Sequence, residues 1–573
     1  MRIFLAQCGS VVFSLIAYAG FTAPCSAAIT IDLSYVDQQS DQYRRFRDYV
    51  DQAVDGDPGY GFSATDAVYM YRITGESQYA NLAVEMVEDQ VSSAEAAIAS
   101  GGDPEVAGDS YLYVGDMIGD LAMTYDWCSS FLSASQRTRW TNYAEQTIYN
   151  VWNPDLAEWG GRPSDWSGWA TQDPANNYYY SFMQATMLWA LADDSAPWTQ
   201  FLNTVKIPLL TGYFGDIDGG SQEGTGYGLS HKRLFEIYRV WRDSTGVDLA
   251  NANPHLTDSI AWWIHATVPT LDKTAAIGDQ SRVSEPVIYD YHRKLMLEAR
   301  KGTSDASAQT LASWWLHNIS VQEMESGFNL RDDLLPAGSA GSPPSTLIQH
   351  FEATGHLFAR TGWDTHAMWL EFDAGPYLQS HAHQDQGSFT LYQNDWLSVT
   401  ENIWSHSGIQ QGTEVHNVLR FEHNGSVVDQ RAGTVSTMTV TDGGGGGAVH
   451  AVGNLTPAYD GSSAVQSWTR AIDFANGSLT VHDNYATGSG TQAIFQVNTP
   501  ARPVISGHTA TAGGLTITVL SPSNATLQAV DWTDEGSDFN SGWRLDISGG
   551  TGEYIVQLSG TPTGEGIFGD GFD

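Results

Sequence analysis

The sequence predicts a multidomain α+β chain in which helical hairpins, stacked or closed into a toroid, precede a C-terminal antiparallel β-sandwich. Three observations carry this. At 573 residues the chain is too long for one hydrophobic core. Its apolar residues follow a helical period up to about residue 300 and alternate with period two beyond about 345. Between them, Ala337, Gly338, Gly341, Pro343 and Pro344 form a turn-rich connector that cannot extend a helix. Composition fits a folded chain, with 42% hydrophobic and 12% aromatic residues.

In chain order, residues 1–28 read as a secretory signal peptide: Arg2, an apolar run over 11–21, then Ser26, Ala27 and Ala28. The run is too short to span a membrane, so a secreted or periplasmic location is expected after cleavage. Cys8 and Cys25 fall in that segment. Cys128 is left alone, a buried small residue beside Trp127.

Residues 29–335 read as helices. A helix stops at Gly75 and another restarts with Tyr79, Leu82, Ala83, Met86 and Val87 on one face, which makes a helical hairpin. A further helix is expected over 121–132, and Ser133 is placed to cap the next. Repeated hairpins fit a stack or toroid as well as separate small bundles. Residues 336–560 read as strands, among them 368–372, 388–392, 478–482 and 515–519 as half-buried strands, with Asn476-Gly477 as a hairpin turn. Residues 561–573 read as a flexible tail.

The net charge of −40 disfavours nucleic acid or an anionic membrane surface as partner. Three constellations carry candidate chemistry. His381, His383 and Asp385 share one face if the strand that follows already holds there, which makes either a metal half-site or a catalytic cluster. Tyr227 ends a glycine-rich loop over 219–228 that opens a helix continuing through His231; it is either displayed at the helix mouth or packed there. Trp159, Arg162, Trp166 and Trp169, followed by Asn176, Asn177 and Tyr178, suit sugar rings, with core packing as the rival reading.

Taken in order, Tyr125-Asp126-Trp127, Asn176-Asn177, Glu223-Gly224 through Tyr227, Arg360-Thr-Gly-Trp363, His381-Ala-His383 and His416-Asn417 resemble the heparinase II/III-like polysaccharide lyases. The resemblance implies an N-terminal (α/α) toroid, C-terminal antiparallel sheets and β-elimination on a uronic-acid-containing, anionic polysaccharide. It assigns Tyr227 as the base at C5, His381 as its partner in proton transfer and Asn177 as the group that neutralises the carboxylate. Asn176, Tyr178, Trp159, Arg162, Trp166, Glu223, His231 and Arg360 are the expected sugar-binding residues. The phenol must have its pKa lowered to act as a base, a task expected of His381 or Arg360.

The resemblance further implies a structural zinc (Zn2+) on His383 and His416. Thr400 stands where its carboxylate ligand belongs, and Glu401, one place later, is the expected substitute. Sulfated polymers fit the acidic chain poorly unless Arg162, Lys232, Arg233, Arg282 and Arg360 make the cleft basic. The rival functions are a glycoside hydrolase with two carboxylates about 5–10 Å apart and a non-catalytic carbohydrate-binding protein.

Overall fold

The computed structural model describes residues 28–280, 284–321 and 329–560. The expected signal peptide, except Ala28, the expected tail and Arg282 lie outside the described residues. No helix among the described residues is long and apolar enough to cross a membrane.

The N-terminal part is helical: α1 (Asp41–Val54), α2 (Ala64–Thr74), α3 (Ser77–Ser100), α4 (Val114–Trp127), α5 (Ala134–Trp152), α6 (Asn177–Ala192), α7 (Ala196–Phe201), α8 (Ile207–Gly215), α9 (Gly224–Gly228), α10 (His231–Thr245), α11 (His255–Ala266), α12 (Asp290–Gly302) and α13 (Ala306–Asn318). The expected punctuation holds. Gly75 ends α2 in the left-handed region at φ 75°, and the Ser133 hydroxyl accepts from the Gln136 amide at 3.2 Å to open α5. The helix expected over 121–132 stops earlier, at Trp127. Cys128 leaves helical angles there, and Ser129–Phe131 tighten into a 3-10 turn.

Successive hairpins pack side by side, α2 on α4, α4 on α6, α6 on α10 and α10 on α12. Ion pairs link helices from separate hairpins of this row. Arg331 reaches Asp66 of α2 at 2.9 Å and Glu236 of α10 at 3.6 Å, and Asp333 takes Arg45 of α1 at 2.7 Å and Arg293 of α12 at 2.8 Å. These pairs tie α1 and α2 to α10 and α12, so the stacked arrangement, not separate bundles, is the one adopted.

The C-terminal part consists of antiparallel sheets. A five-stranded sheet runs Ile348–Phe351, His356–Arg360, Trp369–Asp373, Phe389–Gln393 and Asp395–Ser398. An eight-stranded sheet, with Val465–Ala475 and Ser478–Thr487 near its centre, a second five-stranded sheet around Thr491–Thr499 and a two-stranded pairing of Pro376–Tyr377 with Thr434–Val435 complete the region. Asn476 at φ 52° and Gly477 at φ 73° make the expected hairpin.

The strand Trp369–Asp373 was expected to be half-buried and is buried throughout. Its sheet is the middle layer: Phe351, Phe358, Trp369, Tyr392 and Trp396 join the helical core, while Leu357, Leu370, Phe372, Phe389 and Leu391 join the core of the other sheets. This shared layer fixes the sheet region against the helices and sets the geometry of the cleft between them.

Candidate active site

Tyr227 and His381, 154 positions apart in the numbering, meet face to face. Their ring centroids lie 3.5 Å apart with planes 3° from parallel. The segment around Tyr227 is pinned by backbone packing against residues 277–280. The Thr225 amide donates to the Ile277 carbonyl at 3.0 Å, and a Cβ on Gly226 would stand 2.0 Å from the Asp279 carbonyl. Glycine is therefore required at 226 because another stretch of main chain occupies the side-chain position. The helix expected to run on from this loop is broken: α9 is a short turn, and α10 begins afresh at His231.

Residues 380–388 do not form a strand, so the expected alternation of His381, His383 and Asp385 does not arise; pairing begins at Phe389. An acceptor on the helical side gathers the histidines instead. Asp279 receives His381 Nδ1 at 3.0 Å and His383 Nε2 at 2.9 Å, and Gln411 Nε2 donates to both its oxygens at 3.1 and 3.0 Å. Burial raises the Asp279 pKa, but the histidine hydrogen bonds outweigh it and bring the carboxyl down to about 2. An ionised carboxylate accepts only, so Nδ1 of His381 carries a proton, and in the neutral imidazole the lone pair lies on Nε2.

Sequence reasoning missed Asp279. Its local context, Ile277-Gly278-Asp279-Gln280, carries no recognisable pattern.

The Tyr227 phenol is raised above its ordinary value, by burial first and then by the negative charges of Asp279, Glu223 and Asp109. This direction is opposite to the lowering expected of His381 or Arg360. Arg360 does not supply a positive charge: fully buried, it donates to the His265 and Thr267 carbonyls at 2.9 and 2.8 Å and stacks over Trp363.

Asn176 caps α6, its side chain accepting from the Tyr178 amide at 3.1 Å. Asn177, on the first turn, is buried, and its Oδ1 has no hydrogen-bond partner. Tyr178 is half-buried beside Tyr227. Glu223 is buried with neither carboxyl oxygen completing a hydrogen bond. Burial, reinforced by Asp173, pushes it up to about 8, so it is largely neutral at pH 7.

This raised carboxyl gives a signed prediction. Stability associated with protonated Glu223 is fully present below the unfolded value near 4.5 and is lost as pH rises through about 8. Glu223→Gln is expected to remove that loss, worth roughly 3–5 kcal/mol by pH 9. Thermal unfolding of both forms between pH 5 and 9 checks it; parallel curves would contradict it.

Several expected sugar contacts are not at the surface. Trp159 is 1% exposed, and Trp166 packs against Tyr111 and Phe182 while donating to the Val151 carbonyl. Neither offers a free face to a sugar. Arg162 is spent on the Ile98 and Gly102 carbonyls. His231 is buried against Tyr180, Phe214 and His255. Lys232 lies inside the helical row over Tyr291, and Arg233 pairs with Asp116 at 2.8 Å. The basic patch expected of these residues is not assembled at Tyr227.

For a metal, His383 Nδ1 and His416 Nε2 face each other at 3.1 Å, and Asp385 lies with them inside a 4.8 Å group. The donor set fits zinc: two imidazoles, one carboxylate, and a second carboxylate, Asp279, orienting His383 from behind. Glu401 lies outside that group. Its buried carboxyl sits against Gly542 and is influenced by Arg544, while the Thr400 hydroxyl donates to the Val415 carbonyl. Glu401 is thereby replaced by Asp385 as the candidate carboxylate ligand.

Compared with solved structures, heparinase III aligns over 94% of this chain and 88% of its own, with TM-score 0.59 and 12% identity. The chain has the heparinase III fold. Heparan sulfate lyase HepC from Pedobacter heparinus aligns over 92% of this chain and 85% of its own, with TM-score 0.58 and 14% identity. A chondroitin AC lyase mutant from Streptomyces coelicolor A3 covers 91% and 80%, with TM-score 0.53 and 10% identity. No protein-family model matches the sequence, and no curated protein matches it. At these identities the likeness is one of fold. On this heparinase III fold, the Tyr227–His381 contact lies where the helical half meets the sheets.

Proposed function

We propose that the protein is an exported polysaccharide lyase that cleaves a uronic-acid-containing chain by β-elimination. The observation that carries this reading is the stack of Tyr227 from the helical half on His381 from the sheet half. A C5 proton beside a carboxylate is only weakly acidic, so the charge must first be masked by hydrogen bonding. Asn177 is the candidate for that role. His381 Nε2, with Asp279 holding the opposite nitrogen, takes the C5 proton; the electron pair forms the C4–C5 double bond and the C4–O bond breaks. Tyr227, kept protonated by its raised pKa, gives its proton to the departing oxygen. Solvent exchange then returns both groups to their starting states. This division shifts the role of base from Tyr227, expected from the resemblance, to His381.

A zinc held by His383, His416 and Asp385 would cross-link the 380–388 loop to the segment before the strand Leu419–His423 and carry no step of the reaction. About one zinc per chain is expected on metal analysis of the purified protein. Asp385→Asn should lower that content by an order of magnitude or more, and Glu401→Gln should leave it unchanged; the reverse pattern would restore Glu401 as ligand. Export is proposed from the composition of residues 1–28. The function itself is tested by incubating the protein with a panel of uronate polysaccharides and recording the ultraviolet absorbance of the new double bond. Chain shortening without that absorbance would refute elimination.

A further inference from the structure

Residues 109–111 adopt a conformation that L-amino acids rarely take. Asp109, Ser110 and Tyr111 have φ of 42°, 52° and 62° in succession. The turn is held from behind: Tyr111 is buried with its ring 5.1 Å from that of Trp166, and the Leu112 carbonyl accepts from the Ser181 hydroxyl at 2.5 Å. Asp109 is exposed as a result, and its carboxylate accepts from the Tyr178 hydroxyl at 3.0 Å. Tyr113, 54% exposed, stands close by, and the charge of Asp109 reaches Tyr227.

We infer that Asp109 determines which sugar is accepted in the cleft, admitting one with free hydroxyls beside the uronate and turning away one that carries sulfate there. The inference rests on the Tyr227 cleft being the polysaccharide site. A carboxylate only accepts hydrogen bonds, so it pairs with hydroxyl donors and repels a sulfate, which offers nothing but acceptors and negative charge. The arginines expected to make the cleft basic are engaged elsewhere: Arg233 pairs with Asp116 and Gln184, Arg162 donates to main-chain carbonyls, and Arg360 is buried. Tyr113 and Tyr178 supply aromatic surface suited to a neutral ring. The substrate class is thus a polymer in which uronate alternates with an unsulfated sugar.

The test measures binding of unsulfated and sulfated hexasaccharides, prepared from one uronate-containing backbone, to the Tyr227→Phe protein with and without Asp109→Asn. Asparagine tolerates the left-handed region, so the turn persists while the charge is lost. The expected result is a preference for the unsulfated hexasaccharide that falls roughly tenfold or more with Asp109→Asn. Asp473→Asn, which removes an exposed charge from the eight-stranded sheet, should leave that preference unchanged. No preference at the start, or one that survives Asp109→Asn, overturns the inference. Elimination is read separately from the ultraviolet absorbance with unsubstituted protein. Absorbance with an unmoved preference sinks Asp109 alone, whereas a shifted preference without absorbance sinks the lyase reading and leaves Asp109 as the selector.

Discussion

Replacing Tyr227 with phenylalanine is expected to lower kcat for elimination by ~10²–10⁴-fold, the range that a positioned proton donor contributes. The substitution deletes one hydroxyl from a half-buried ring and leaves the stack on His381 intact. Stability should therefore change by no more than about 0.5 kcal/mol. Initial rates from the double-bond absorbance, beside thermal unfolding, separate the two effects. A variant that retains more than about a tenth of the activity would remove Tyr227 from proton transfer.

Asp279→Asn is expected to be comparably severe, a ~10²–10⁴-fold loss in kcat, although the residue is only 3% exposed and lies behind the histidine. An amide has one acceptor and one donor end, so it cannot receive protons from both His381 and His383. One imidazole is then forced into the wrong tautomer or left unpaired. KM should change little, because the loss concerns the base and not the sugar contacts. A large rise in KM with kcat preserved would contradict a positioning role.

Asp279 also carries a pH signature. Its depressed pKa means that its stabilisation is present above about pH 4 and is lost as pH falls through about 2. Asp279→Asn should flatten that acid limb, by about 1–2 kcal/mol after allowance for solvent screening.

The change of period, the helix stop at Gly75, the cap at Ser133 and the turn at Asn476-Gly477 all depend on local chemistry, and each is legible in sequence. The Tyr227 loop and the His381-Ala-His383 run are legible for a similar reason, since reactive side chains stand in short, unusual contexts. What failed was whatever depends on distant packing. A tryptophan reads alike whether it faces a sugar or a core, and Trp159 and Trp166 face the core. Arg360 reads as a free cation, yet it is fully buried, with its Nη2 held by carbonyls 95 and 93 positions away. Glu401 is adjacent in sequence to the expected ligand position but faces Gly542. Asp279, 102 positions from His381, announces itself only when the backbone of 277–280 is seen packed against the glycines of the Tyr227 loop.

Elimination and hydrolysis differ in where an oxygen atom goes, and this gives the most direct test of the central claim. The protein should be incubated with a uronate polysaccharide in water enriched in heavy oxygen, and the products weighed by mass spectrometry. Elimination is expected to give new non-reducing ends that carry a ring double bond and new reducing ends without solvent oxygen fixed at the moment of cleavage. Saturated ends, with one heavy oxygen incorporated per bond cut, would contradict it.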